Sequence, residues 1–261
     1  MGSFVFLSGP SCVGKGPLLK AVAQFHPEIA ARMQKVTLYT SREKRAGEED
    51  GREYHFRSQK EIYALAQSSR YLCFPVHNDA QAIDLEEVRG LTGQDEKIGF
   101  LEIFHTAAAK LKNNEVLKGA PITTVFLSPV SRSEVQLMLG TEGGLGNVSS
   151  LVQTLMARKQ LRSALVQNKG LTQFDMQAIG RRADRAFEEL LSAANYDFVL
   201  PNHDGEESPY WGLPFLLGDA ARTLGSFVDI LSGSEPRYAE HWRGLFPKGT
   251  MPMGVPVLAD K

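Results

Sequence analysis

The sequence predicts an α/β fold with a parallel central sheet covered by helices on both faces. Two observations lead there. Short apolar, β-prone runs alternate along the chain with stretches of helical spacing. The first such run is followed directly by a glycine-bearing loop and an amphipathic helix.

Phe4-Val5-Phe6-Leu7 is the apolar run expected of a strand buried on both faces. After the loop, Pro17 to Phe25 has helical spacing, with Pro17 in the first turn, where the missing N–H costs nothing. Residues 36–40 read as a second strand, 41–50 as a charged stretch closed by Gly51, and 59–68 as a short helix. A strand is expected at Gly99–Phe104, a helix at Ala107–Leu117 and a strand at Thr123–Leu127. The glycines between Gly140 and Gly146 predict a mobile loop, followed by arginine-rich helices over 149–166 and 175–194 and a last strand at Tyr196–Leu200. Residues 203–261 change character: Gly and Pro are frequent, both tryptophans lie there, and the one periodic segment is a helix near 214–231. This organisation predicts a main domain over 1–204 and a C-terminal extension over 205–261.

With 43% hydrophobic and 23% charged residues, the composition is that of an ordinary soluble globular protein. A net charge of -1 gives no global attraction to nucleic acid or to an anionic membrane, so neither is an expected partner. Cys12 and Cys73 form no CxxC pair and lack Cys/His ligand spacing, which argues against structural zinc or a disulfide scaffold, and no metal-ligating residue is assigned. The opening MGSFVFLSG lacks the basic flank of a signal peptide, and no run of apolar residues is long enough to span a bilayer. A cytoplasmic protein is expected, as a monomer or homodimer.

Gly9-Pro10-Ser11-Cys12-Val13-Gly14-Lys15 is G-x4-G-K, the phosphate-cradling P-loop. Glycines let backbone amides turn inward around a phosphate, the lysine reaches the β and γ oxygens, and the following helix adds its positive end. Strand, loop and helix in that order predict a P-loop NTPase three-layer fold. Gly9 to Gly16 are the expected ATP-binding residues. The position after the lysine normally carries a serine or threonine that ligates Mg2+, and here it is Gly16. Ser11 and Glu102 are possible substitutes.

A second signal runs from Thr40 to Phe56. Taken with the P-loop, it resembles guanylate kinase, whose monophosphate-binding arm reads T-T-R-x-x-R-x-G-E-x-x-G-x-x-Y-x-F. Thr40, Ser41, Arg42, Arg45, Gly47, Glu48, Gly51, Tyr54 and Phe56 fall in register. The resemblance implies ATP and Mg2+ as cofactors, an arm at about 36–92, a lid at about 140–180, and transfer from ATP to GMP. It also implies that Arg42, Arg45 and Tyr54 grip the acceptor phosphate, as forked guanidinium groups and a phenol are suited to do. Glu43 and Lys44 read as a solvated charge run. From the same resemblance, Lys15, Arg42 and Arg182 are the expected catalytic residues, with Arg181, Arg185, Arg158 and Arg162 as neighbouring candidates. Asn202 falls where the family has an asparagine near the adenine.

The resemblance is strong over 4–57 and patchy to about residue 204. Cys73 stands where the family has a guanine-binding glutamate, and Asp79–Asp84 where it has a Tyr-Gly-Ser/Thr element. The L-D-x-D strand becomes Leu101-Glu102-Ile103-Phe104, so one acid survives as Glu102, an expected substrate contact. Three readings follow: a GMP kinase, a kinase of another phosphorylated acceptor such as ribose 1,5-bisphosphate, or a family-like module that binds without catalysis. The ribose 1,5-bisphosphate phosphokinases are similar proteins whose P-loop also lacks the serine or threonine after the lysine.

Overall fold

A computed structural model describes residues 2–44, 47–166, 171–247 and 250, with Phe174 described by its backbone alone. The chain divides into two compact units. The first holds residues 1–6 and 32–122; the second holds 7–31 and 123–252. Strand β1 (Ser3–Ser8) contributes to both. Its buried side chains, Phe4, Phe6 and Leu7 among them, explain why the run is apolar throughout rather than alternating.

In the first unit, β2 (Met33–Lys35) is followed by β3 (Tyr39–Thr40), β4 (His55–Phe56) and α3 (Gln59–Leu65), with α1 (Lys15–Phe25) and α2 (Pro27–Ala30) preceding them in the second. Strands β5 (Tyr71–Val76) and β6 (Asp79–Asp84) form a hairpin that leads into α4 (Leu85–Thr92), β7 (Ile98–Glu102) and α5 (His105–Lys112). The second unit continues with β8 (Ile122–Ser128), α6 (Arg132–Leu139), α7 (Leu145–Val166), α8 (Gln173–Leu191), β9 (Phe198–Pro201) and α9 (Gly218–Leu231).

The central sheet runs β2-β7-β1-β8-β9, with β2–β7 and β8–β9 parallel. The α/β class and the parallel central sheet are those the sequence predicts. A second sheet, β4-β3-β6-β5, lies wholly within the first unit. The run 36–40, expected as one strand, is divided between the two sheets. Val36 N–H donates to Phe100 O, extending the β2–β7 pairing, while Leu38 O accepts from His55 N–H and hands the chain to β3.

The core of the first unit is built on Phe4, Phe6, Leu38, Phe74, Ile83 and Leu101. Burying each such side chain contributes about 1.5–3 kcal/mol. The segment after Asn202 is integral to the second unit. Val199 and Glu240 pair as an antiparallel bridge, and Thr223 Oγ1 donates to Pro201 O at 3.1 Å. Trp242 is fully buried, and its indole N–H donates to Glu240 Oε2 at 2.8 Å, so this large buried side chain also has its polar group satisfied.

Gly140–Gly144 forms a short turn, and α7 starts at Leu145, four residues before the expected start of that helix. Asn147 Nδ2 ties the turn, donating to Thr141 Oγ1 and Glu142 O at 2.8 Å each.

Candidate functional site

Between β1 and α1 the chain makes the turn that the glycines permit. Gly14 has φ +109, and a Cβ there would lie 2.4 Å from Asn202 Nδ2, so both conformation and space demand glycine. Gly9, at φ +146, would drive a Cβ to 2.5 Å from Leu127 O. Cys12 takes a left-handed φ of 66 between them. Helix α1 begins at Lys15 directly behind this turn, so its positive end faces the loop. The Lys15 ammonium lies across the loop and donates to Gly9 O at 2.6 Å and Pro10 O at 3.1 Å. The arrangement supplies what a nucleotide phosphate needs: a cation, a helix N-terminus and a tight, glycine-permitted backbone turn.

Residues just beyond β9 brace this loop. Asn202 is fully buried, and its Nδ2 donates to Val13 O at 2.7 Å. Lys159, on α7, donates to Asn202 O at 3.0 Å, and burial pulls its pKa down to about 8. Glu206 N–H donates to Cys12 O at 3.1 Å. Burial pushes the Cys12 thiol up in pKa, and the neighbouring Glu206 carboxylate adds to the effect. The Ser11 hydroxyl stands 3.8 Å from the same thiol. Sequence reasoning missed Lys159 and Glu206; the acidic residues Asp204, Glu206 and Glu207 stand close after Asn202, but nothing in the sequence sets one of them against the loop.

Segment 40–56, which carries the arm-like motif, belongs to the first unit. Arg42 forks onto Glu48, with contacts of 2.8 and 3.0 Å, and donates to Glu43 O at 2.7 Å. Its guanidinium also lies over the rings of Tyr54 and Phe56, at 5.4 and 5.6 Å from their centroids. Glu48, Tyr54 and Phe56 thereby fix the plane of Arg42. Ser41 Oγ donates to Asp79 Oδ1 at 3.1 Å and accepts from Ala80 N–H at 2.8 Å, which ties the arm to the β5–β6 hairpin. Arg45 lies outside the described residues.

Cys73, at the family's glutamate position, is half-buried beside Ile62, Ala80 and Ala82. Its thiol donates to Ile62 O at 3.5 Å, and burial raises its pKa to about 11. It is a neutral packing group. Glu102 is half-buried at the end of β7, and Phe104 two residues on meets the His77 ring edge-on and the His105 ring at a tilt, at centroid distances of 5.1 and 4.2 Å. Arg182 and Arg181 are exposed on α8 and Arg185 is half-buried there; Arg158 and Arg162 are exposed on α7, against which α8 packs.

A family profile for guanylate kinase matches residues 1–165. A guanylate kinase of Synechococcus sp. (strain JA-3-3Ab) is 27% identical over 190 residues, covering 72% of this chain and 80% of that relative. The Mycoplasmopsis synoviae guanylate kinase is 28% identical over 211 residues, with 79% and 89% covered. The Schizosaccharomyces pombe guanylate kinase is 27% identical over 192 residues, with 71% and 87% covered. Among solved structures, the crystal structure of guanylate kinase from Anaplasma phagocytophilum aligns with a TM-score of 0.53 at 17% identity, over 89% of this chain and 85% of that one; at this identity the likeness is one of fold.

Proposed function

The chain belongs to the guanylate kinase family, and from that premise we propose that it transfers the γ-phosphoryl group of ATP to a nucleoside monophosphate, GMP in the first instance. The observation that carries the reading is the loop itself: a glycine-hinged turn crossed by Lys15 and backed by the N-terminus of an 11-residue helix. In phosphoryl transfer the protein does little covalent chemistry; it positions the reactants and neutralises charge. Gly9 to Gly16 would hold the ATP phosphates and Lys15 the β and γ oxygens. Asn202 would act mainly by holding the loop in shape. Arg42 would grip the acceptor phosphate with Tyr54 and Arg45, and Glu102 would meet the acceptor. Arg182, or another arginine of α7 and α8, would stabilise the transferring group.

The magnesium that the family implies would supply neutralisation of phosphate charge when bound. The end of the loop fits a hard dication, because a carboxylate oxygen of Glu206 stands beside Gly16, 3.4 Å from where its Cβ would be.

One observation favours a second acceptor class. The family's guanine-binding acid is replaced here by a neutral thiol bonded to a main-chain carbonyl. The phosphate end of the acceptor site keeps its residue types while the base end does not. A phosphorylated acceptor without guanine, such as ribose 1,5-bisphosphate, is therefore the alternative substrate. The test is ADP release from ATP and Mg2+ with GMP, dGMP, other monophosphates and ribose 1,5-bisphosphate in parallel. Turnover with GMP supports the first reading, turnover with the sugar bisphosphate alone supports the second, and none above background contradicts both.

A further inference from the structure

We propose that the Glu206 carboxylate replaces the missing P-loop hydroxyl as this protein's own oxygen ligand for the magnesium that accompanies a bound nucleotide. The proposal rests on the reading of residues 9–15 as a nucleotide-phosphate site.

Gly16 stands where a serine or threonine hydroxyl would ordinarily be found. A Cβ at this position would lie 3.4 Å from Glu206 Oε1, ordinary van der Waals contact. The carboxylate thus occupies the space into which a longer side chain at position 16 would project. It comes from the far end of the chain, outside the residues matched by the family profile.

The backbone places it there. Glu206 N–H is bonded to Cys12 O, Asn202 Nδ2 to Val13 O, and Gly205 takes a φ of +69 where a Cβ would collide with Lys159 Cδ at 2.9 Å. Segment 202–206 is therefore fastened to the phosphate loop at two carbonyls and pinned by Lys159.

Its acidic neighbours are used elsewhere. Asp204 accepts from Ala220 N–H at 2.9 Å in the first turn of α9 and from Ser208 Oγ at 3.1 Å. Glu207 accepts from Ser163 Oγ at 2.9 Å. Glu206 instead turns to the loop and meets the Cys12 thiol, a weak donor.

A carboxylate held against a polyphosphate site is electrostatically costly on its own, since like charges at contact distance repel strongly. A hard dication between carboxylate and phosphate reverses the sign of that interaction. Mg2+ characteristically binds through one or two carboxylates plus substrate phosphates and water, not through a protein cage. Glu206 at the end of the P-loop meets that description.

The test compares the full-length protein with Glu206→Gln, which keeps the side chain's size and removes its charge. Calorimetry gives the affinity for the non-hydrolysable analogue AMPPNP in EDTA, and Mn2+ electron paramagnetic resonance gives binding of the metal–AMPPNP complex. The expected result is a loss of at least about tenfold for the metal complex in Glu206→Gln, with binding in EDTA equal to or tighter than wild type. A hydroxyl at position 16 with the space beside it cleared, in the double variant Gly16→Ser/Glu206→Ala, should restore the metal increment relative to Glu206→Ala. Unchanged binding of the metal complex by Glu206→Gln would overturn the proposal. Equal weakening with and without metal would overturn it too, by showing that Glu206 only shapes the loop. Absence of AMPPNP binding by the wild type, even in EDTA, would instead overturn the nucleotide-site reading and the proposal with it.

Discussion

Asn202 donates its side-chain N–H to the carbonyl of Val13 at 2.7 Å, joining the end of β9 to the phosphate loop across 189 positions of chain. Both groups are fully buried. Replacing the amide leaves the Val13 carbonyl without this donor, at a cost of about 1–3 kcal/mol. Asn202→Ala should therefore lower the melting temperature by several degrees and weaken nucleotide binding with it, read by thermal denaturation with and without ATP. An unchanged midpoint with weakened ATP binding would show that Asn202 touches the nucleotide and does not brace the loop.

Gly14 and Gly16 should respond in opposite ways. Gly14→Ala meets a positive φ and an Asn202 Nδ2 at 2.4 Å, so it should destabilise the fold, with about 1–3 kcal/mol from the backbone alone, and abolish nucleotide binding. Gly16 sits in α1 with room for a Cβ, so Gly16→Ala should be neutral or stabilising by up to about 1 kcal/mol. Chemical denaturation curves for the two variants decide the contrast.

Arg42 is held by the fork to Glu48 and the rings of Tyr54 and Phe56, a geometry that a lysine ammonium cannot reproduce. Arg42→Lys should raise KM for the phosphorylated acceptor at least about tenfold, the loss of roughly 1.4 kcal/mol, while KM for ATP changes little. Equal changes in both constants would remove Arg42 from the acceptor side.

His203 sits between two carboxylates, Asp219 at Nδ1 and Glu134 at Nε2, the latter at 2.7 Å; Arg222 faces Asp219 at 3.8 Å. Burial opposes the imidazolium, but the bonds to Glu134 and Asp219 outweigh it and hold the pKa above its usual 6.5. Burial raises the pKa of Glu134 and of Asp219, but the bonds to His203, joined by Ser131 at Glu134 and by Arg222 at Asp219, together hold them below their usual 4.5 and 3.8. A raised histidine pKa stabilises fully below 6.5 and is lost as pH rises through the raised value. The lowered carboxylates stabilise above their usual pKa and lose it in acid. The melting-temperature deficit of His203→Gln should accordingly be greatest at about pH 5–6, shrinking toward alkaline pH and in acid. A deficit independent of pH would assign His203 a packing role only.

The first strand, the loop and the first helix were legible because their signal is local: a buried apolar run, glycines at the positions of positive φ, and a lysine where the helix begins. The β5–β6 hairpin escaped because its markers are atypical. Pro75 interrupts β5, which tolerates it as the edge strand of its sheet, and the turn uses His77 at φ 59 where glycine would have announced it. Helix α6 was hidden behind Pro129, although Ser131 and Glu134 form a capping box at its start. Arg42 and Tyr54 could be named from spacing, but the fork to Glu48 that orients the arginine is a tertiary fact. Glu206 was out of reach for the same reason, since its neighbours Cys12 and Gly16 lie at the opposite end of the chain.

The most direct test of the central claim is transfer of label from [γ-33P]ATP, with Mg2+, to GMP and to the alternative phosphorylated acceptors, with Lys15→Ala run beside the wild type. The expected result is a labelled diphosphate product, or a labelled sugar phosphate if the acceptor lacks guanine, that disappears in Lys15→Ala. No labelled acceptor from the wild type, or equal labelling by both proteins, would contradict it.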